Sequence, residues 1–237
     1  FIEGIKISRS YIYASRAKSI IKRLFNYFSF VLSSIIYSRN IKNADYVICE
    51  SPPLFLGISS YFIAKRLNAK LIFNVSDLWP ESAEKLKIVN NKFLLKMAYL
   101  LEEYLYKKSF LVTCQTVGIL KSINHRFKNV NTMWLPNGID KDMYLNVIDN
   151  DKWLKKYDLL GKRIYIYAGI LGYAQGLDVI IKASSLIKNN KKKYSNVSFV
   201  IVGDGPEKQK LIDLNNKLKA NVVFIPSVSK KEIISMI

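Results

Sequence analysis

Tyr167-Ala-Gly-Ile-Leu-Gly-Tyr-Ala-Gln-Gly-Leu-Asp178 and Val202-Gly-Asp-Gly-Pro-Glu207 each stand where an apolar, β-branched run gives way to a helical pattern. Before the first lies Arg163-Ile-Tyr-Ile-Tyr-Ala168, and after it Leu177, Ile180, Ile181, Ser184 and Ile187 recur at helical spacing. Before the second lies Val197-Ser-Phe-Val-Ile-Val202, followed by Pro206, which suits the first position of a helix whose inner stripe is Leu211, Leu214 and Leu218. A third strand, Asn221 to Ile225, ends at Pro226, and Ser229-Lys-Lys-Glu232 has the form of a capping box. Strand, glycine loop and helix repeated in this way predict a doubly wound parallel α/β sheet. A turn at the carboxyl end of a parallel strand can aim backbone N–H groups at an anion, so two in succession suggest phosphate or nucleotide binding; each is equally the punctuation of any α/β sheet. A dinucleotide fingerprint is a poor fit, because no third glycine follows Gly203-Asp-Gly205 at the required spacing, and a phosphate-binding P-loop is absent.

The first 140 residues alternate similarly. Asp45–Glu50, Ala69–Val75, Phe110–Cys114 and Asn131–Leu135 read as strands, and 54–67, 117–126 and a segment from about Lys92 as helices. In the last of these, Phe93, Leu94, Met97, Leu100, Leu101, Tyr104 and Leu105 share one predicted inner face. Residues 141–162 lack a strand-like run. The expected organisation is therefore an amino-terminal α/β domain over 1–140, a connection over 141–162 and a carboxyl-terminal α/β domain over 163–237.

Asp77-Leu-Trp-Pro-Glu81, Pro136-Asn-Gly-Ile-Asp140 and the two glycine turns resemble, in order and spacing, family 4 glycosyltransferases of the GT-B fold, in particular the subgroup of fucosamine transferases of bacterial O-antigen and capsule assembly. The resemblance implies a retaining transferase with two Rossmann-like doubly wound domains, both incomplete here, that moves a sugar from a nucleotide diphosphate, usually UDP, to a polyprenyl-linked or other saccharide acceptor. The nucleotide sugar is a substrate, and neither a cofactor nor a metal is implied. The amino-terminal domain would take the acceptor. The carboxyl-terminal domain would take the donor, with Asn137, Gly138, Gly169, Gly172, Gln175, Gly203 and Gly205 near the diphosphate. Asp77 and Glu81, just past a strand end, are the candidate acceptor-side catalytic carboxylates; a helix cap is the equal alternative for Asp77.

Three departures stand beside the matches. Where many members carry an arginine and a lysine, the first carboxyl-domain loop offers Ile170, Leu171 and Gln175. Where many carry a catalytic histidine, this chain has Asn74-Val-Ser-Asp77, and its one histidine, His125, reads as surface structure at a helix end. The chain resembles an internal segment of the family, between an upstream glycine loop and a downstream Glu-x7-Glu motif. Residues 1–237 alone are accordingly expected to be inactive, and a non-catalytic remnant or anion-binding module is the alternative.

Net charge is +19, from 37 basic and 18 acidic residues, which favours anionic partners. Between Gly4 and Ala44 stand eight Lys or Arg and no acid, flanking an apolar stripe of Ile20, Leu24, Phe28, Val31, Leu32, Ile35 and Ile36. Such a stripe can pack against the protein's own sheet or lie as a basic amphipathic helix on an anionic membrane surface; the resemblance implies the second, in a cytoplasmic protein peripheral on the inner face of the cytoplasmic membrane. Nucleic acid is disfavoured because the lysines are scattered or, as at Lys191–Lys193, grouped at a helix end with no recognition motif. Cys49 and Cys114 fall inside predicted strands, as buried reduced thiols would.

Overall fold

The structure, a computed structural model, describes residues 1–14, 20–145, 151–188 and 194–237, with the side chains of 20, 21, 23, 143, 145 and 188 left out. Lys191–Lys193, much of Asp149–Lys152 and the Ile20 side chain lie outside that description. The chain divides into two units, Phe1–Gly138 and Ile139–Ile237.

In the first unit, helix α1 (Ile20–Tyr37) precedes β1 (Tyr46–Ser51), α2 (Leu56–Leu67), β2 (Lys70–Val75), α3 (Glu81–Lys85), α4 (Lys92–Lys108), β3 (Leu111–Cys114), α5 (Val117–Arg126) and β4 (Thr132–Trp134). The strands lie side by side in chain order and all run parallel. Alternation along β2 buries Leu71, Phe73 and Val75 and turns Lys70, Ile72 and Asn74 the other way. The buried face packs with Val112 and Cys114 of β3 against Leu105 and Tyr106 of α4 and Ile123 of α5. Helix starts are fixed by side-chain oxygens. Asn91 accepts from the Phe93 and Leu94 N–H groups to open α4, and Thr116 accepts from Ile119 to open α5. Helix α2 begins two residues after Leu54, which is buried in the preceding turn.

The expected inner face of α4 divides. Leu105 is buried with Leu95, Ala98, Glu102 and Tyr106, and Leu101 is half-buried, whereas Phe93, Leu94, Met97, Leu100 and Tyr104 point outward. The helix carries apolar residues on two opposite sides, and a sequence period cannot say which side meets the sheet.

The second unit contains α6 (Asp142–Leu145), α7 (Lys152–Lys156), β5 (Arg163–Ala168), α8 (Asp178–Lys188), β6 (Val197–Val202), α9 (Lys208–Lys217), β7 (Val222–Ile225) and α10 (Lys230–Ile234). Its strands are also parallel and in chain order. Both sheet faces are covered. Ile201 and Val222 pack with Leu177, Ile181 and Leu211, while Val200, Val202 and Ile225 pack with Leu159, Trp153 and Ile233. Helix α9 starts at Lys208 rather than at Pro206, which belongs to the turn before it. Ser229 and Glu232 form both bonds of the expected capping box at α10.

Candidate functional site

The two glycine turns of the second unit interlock at the carboxyl ends of β5 and β6. The Leu171 N–H donates to the Asp204 carbonyl at 2.9 Å, and the Glu207 N–H donates to the Leu171 carbonyl at 3.0 Å. The glycines make this approach possible. A Cβ built on Gly203 would sit 2.0 Å from the Gly169 carbonyl oxygen, and one on Gly205 would sit 2.5 Å from the Leu171 carbonyl oxygen. At Gly172 the added atom would press on the Gln175 side chain and reach Ile170 at an ordinary contact distance, and at Gly138 it would meet nothing.

The N–H groups of four of the turn glycines are engaged within the protein. Gly169 donates to Val202 O, Gly203 to Ile225 O and Gly172 to Ile170 O, while Gly205 donates to the Asp204 carboxylate. The nearby cations are engaged as well: Lys208 with Asp204, Lys210 with Glu207 and Lys182 with Asp178. Lys208 and the Gly205 N–H hold the Asp204 carboxyl below the usual carboxylate range, and Lys182 does the same for Asp178. What the loops offer a ligand is an exposed surface with the Gln175 side chain on it. Asn137 and Gly138 are exposed in the segment after β4, which has no regular structure.

At the carboxyl end of the first unit's sheet, Asp77 is exposed and accepts from the Ser82 hydroxyl at 2.8 Å, which ties the loop to α3. Pro80 occupies the cap position of α3 and supplies no side-chain bond. Glu81 faces Lys85 at 2.5 Å and Arg126 at 3.8 Å. The structure thus places Asp77 and Glu81 at opposite ends of one short loop, one open to solvent and one in an ion-pair group.

Sequence reasoning missed a polar chain across three strands on the sheet face opposite α2, α4 and α5. Glu50, Asn74 and Thr113 are register partners on β1, β2 and β3. The buried Thr113 hydroxyl donates to Asn74 Oδ1 at 2.6 Å. That bond fixes the amide so that Nδ2 donates to Glu50 Oε2 at 2.5 Å, and the Ser76 hydroxyl donates to the other Glu50 oxygen. An exposed carboxylate is thereby held in one orientation by three strands. The signal available beforehand was a lone acid at the end of an apolar strand, directly before Ser51-Pro52-Pro53.

On the helical side, Glu102 is fully buried and Arg126 grips both its oxygens, the longer bond being 3.2 Å. Burial pushes the Glu102 carboxyl up from its ordinary value against the pull of Arg126. Beside it an open groove of about 710 Å³ is lined by Lys92, Lys96, Tyr99, Glu103, His125 and Arg126. Burial, with the Tyr99 hydroxyl donating to Glu84 at 2.6 Å, pushes the Tyr99 phenol up to about 12. A smaller cavity of about 440 Å³ in the second unit includes Val197, Ser198 and Asn221 at the amino ends of β6 and β7, away from the glycine turns. Burial pushes the Cys49 and Cys114 thiols up to about 11. Among the described residues no group of three acids, histidines or cysteines could hold a metal, and no helix is long and apolar enough to cross a membrane.

The family Glycosyl transferases group 1 matches residues 149–237, which include both glycine turns. The fold is of the GT-B type. Sucrose-phosphate synthase from Thermosynechococcus elongatus superposes with a TM-score of 0.70 at 14% identity, over 94% of this chain and 54% of that one. Anabaena Alr3699/HepE in complex with UDP-glucose gives 0.63 at 15% identity, over 92% and 56%. In sequence, the putative colanic acid biosynthesis glycosyl transferase WcaI of Escherichia coli is 24% identical over 209 residues, 84% of this chain and 50% of that protein. An uncharacterized glycosyltransferase of Methanocaldococcus jannaschii, MJ1059, is 30% identical over 140 residues, 57% of this chain and 34% of that protein. The chain spans half the length or less of these curated relatives.

Proposed function

We propose that the protein acts in a retaining sugar transferase of family 4 type, which takes a nucleotide-diphosphate sugar, with UDP as the carrier, and passes the sugar to a polyprenyl-linked or other saccharide acceptor in bacterial surface polysaccharide synthesis. The observation that carries this reading is the family match over the second unit, whose two glycine turns interlock at the strand ends where sheets of this kind hold ligands. The UDP-glucose bound by Alr3699/HepE and the colanic acid role in the WcaI name support the donor class and the pathway class.

In this reading Gly169, Gly172, Gly203 and Gly205 act by letting the backbone come close, since their N–H groups are already engaged. Gln175 supplies a polar contact to the donor. Asp77 is the acceptor-side carboxylate, with the oriented Glu50 beside it in role, and Glu81 acts through its ion pairs. A carboxylate held by fixed donors can orient an acceptor hydroxyl without rearranging as the bond forms. The protein works from the cytoplasmic face of the cytoplasmic membrane.

The engagement of the Gly169, Gly172, Gly203 and Gly205 N–H groups favours one second reading, an α/β module that keeps the fold without a donor site. UDP release from a panel of UDP-sugars, measured with the protein expressed from its complete gene and a polyprenyl-linked saccharide, separates the two. Turnover that Asp77→Ala lowers while UDP affinity is retained supports the transferase. Absence of both turnover and UDP binding leaves the module.

A further inference from the structure

Helix α4 leaves a complete apolar stripe uncovered. Phe93, Met97, Leu100 and Tyr104 follow one another at spacings of four, three and four residues, so they share one side of the helix, opposite the buried Leu95, Ala98, Glu102 and Leu105. Their exposures are 69%, 49%, 51% and 44%, and Leu94 at the edge adds 42%. At 1.5 Å per residue the stripe runs roughly 16 Å. It continues sideways onto α2, because the Tyr104 ring meets Tyr61 at 5.5 Å and Tyr61 meets Phe62 at 5.8 Å, with Phe62 itself 52% exposed.

Charge decides what fits this surface. Lys96 and Lys107 lie along one edge of the stripe, Lys108 along the other, and Lys92 at its amino end. Among the described residues Lys92, Lys96 and Lys108 have no carboxylate partner; Lys107 is paired with Glu103, and Glu84 is engaged by Tyr99. The stripe therefore has a net positive rim around an apolar centre. An interfacial lipid layer rewards that arrangement, since aromatic and aliphatic side chains enter the acyl boundary while lysines reach lipid phosphates. A second copy of the chain would bring like-charged rims together.

We propose that the outward face of α4, with Phe93, Met97, Leu100 and Tyr104 inserted and Lys92, Lys96 and Lys108 at phosphate level, docks the first unit on an anionic lipid bilayer. This is a different surface from the basic α1 segment, and it stands on the α4 geometry whether or not the chain transfers sugars.

The test uses the whole chain and phosphatidylcholine vesicles with or without about one-quarter phosphatidylglycerol. The triple substitution Phe93→Ser, Met97→Ser, Leu100→Ser leaves every charge in place and falls on exposed positions. It is expected to lower the fraction floating with anionic vesicles by about tenfold, through lost apolar insertion. In a separate variant, Met97→Cys carries an environment-sensitive fluorophore, which the buried Cys49 and Cys114 leave as the reactive position. Its emission is expected to shift to the blue on anionic vesicles and to stay put on pure phosphatidylcholine. Flotation of the triple variant equal to the parent means that net charge alone binds, and overturns the proposal. So does a blue shift from a label at Leu32→Cys on α1 without one at Met97, or a dimer of the parent in gel filtration that the triple variant abolishes.

Discussion

Arg126→Met isolates the energetics of the first unit. The substitution keeps an unbranched apolar stem in place of the arginine stem and removes the guanidinium that grips both oxygens of the fully buried Glu102. Leaving a buried carboxylate uncompensated costs about 3–5 kcal/mol. With about 2–4 °C lost per kcal/mol in a chain of this size, the expected fall in Tm is roughly 6–20 °C at neutral pH. Because burial holds the Glu102 carboxyl above its ordinary value, the folded state takes up the proton more readily than the unfolded chain. Its contribution to stability is present below the ordinary carboxylate range and is lost as pH rises through the raised folded value. Without Arg126 that value climbs further, so the deficit of the variant is greatest near neutrality and shrinks toward about pH 4. Thermal melts followed by circular dichroism across this range, with the Glu102→Gln/Arg126→Met double variant alongside, read both effects. The double variant should recover most of the loss, since nothing charged remains buried. A single variant within about 1 kcal/mol of the parent at neutral pH would refute the reasoning.

The glycine turns make a contrasting pair: Gly203→Ala should destabilise by roughly 1–3 kcal/mol, because its Cβ meets backbone 2.0 Å away, while Gly172→Ala should stay close to the parent because the Gln175 side chain can turn aside. Equal urea midpoints for the two would remove the interlock. In the cross-strand chain, Asn74→Ala should cost about 1–3 kcal/mol by stranding the buried Thr113 hydroxyl, and Thr113→Val should cost less, since it removes that donor while keeping its shape; the reverse order in denaturant melts would count against the assigned amide orientation. Cys49 and Cys114, buried with thiols pushed up to about 11, should resist a disulfide reagent at mildly alkaline pH in the native chain and react fully in denaturant. Fast reaction of either thiol in the native chain would contradict its burial.

Most of the strands and crossover helices were legible because their signals are local. Leu71, Phe73 and Val75 alternate with Lys70, Ile72 and Asn74, and α5 spans the residues read for it, Val117 to Arg126. The α4 stripe was legible as a period but not as a direction, since both sides of the helix carry apolar residues. The positions of the glycine turns were visible. What escaped the sequence was that the two turns close on each other, because the bonds that join them, Gly169 to Val202, Leu171 to Asp204 and Glu207 to Leu171, span more than thirty positions. The Glu50 chain was hidden for the same reason. Its partners come from three strands, and only the parallel register brings Asn74 and Thr113 beside an acid that in isolation reads as a solvated strand end.

In both sheets each strand pairs with the next one along the chain, and paired residues lie between 20 and 39 positions apart, from Val112 with Thr132 to Ile72 with Leu111. No described strand waits for a distant stretch of chain before it can dock against its neighbour. Loop-closure entropy grows slowly over such spans, so each strand and crossover helix can be added as soon as it leaves the ribosome, against an edge already built. Assembly in order of synthesis also means that the growing edge is always the most recent strand, and the next strand pairs with it within a few seconds of translation.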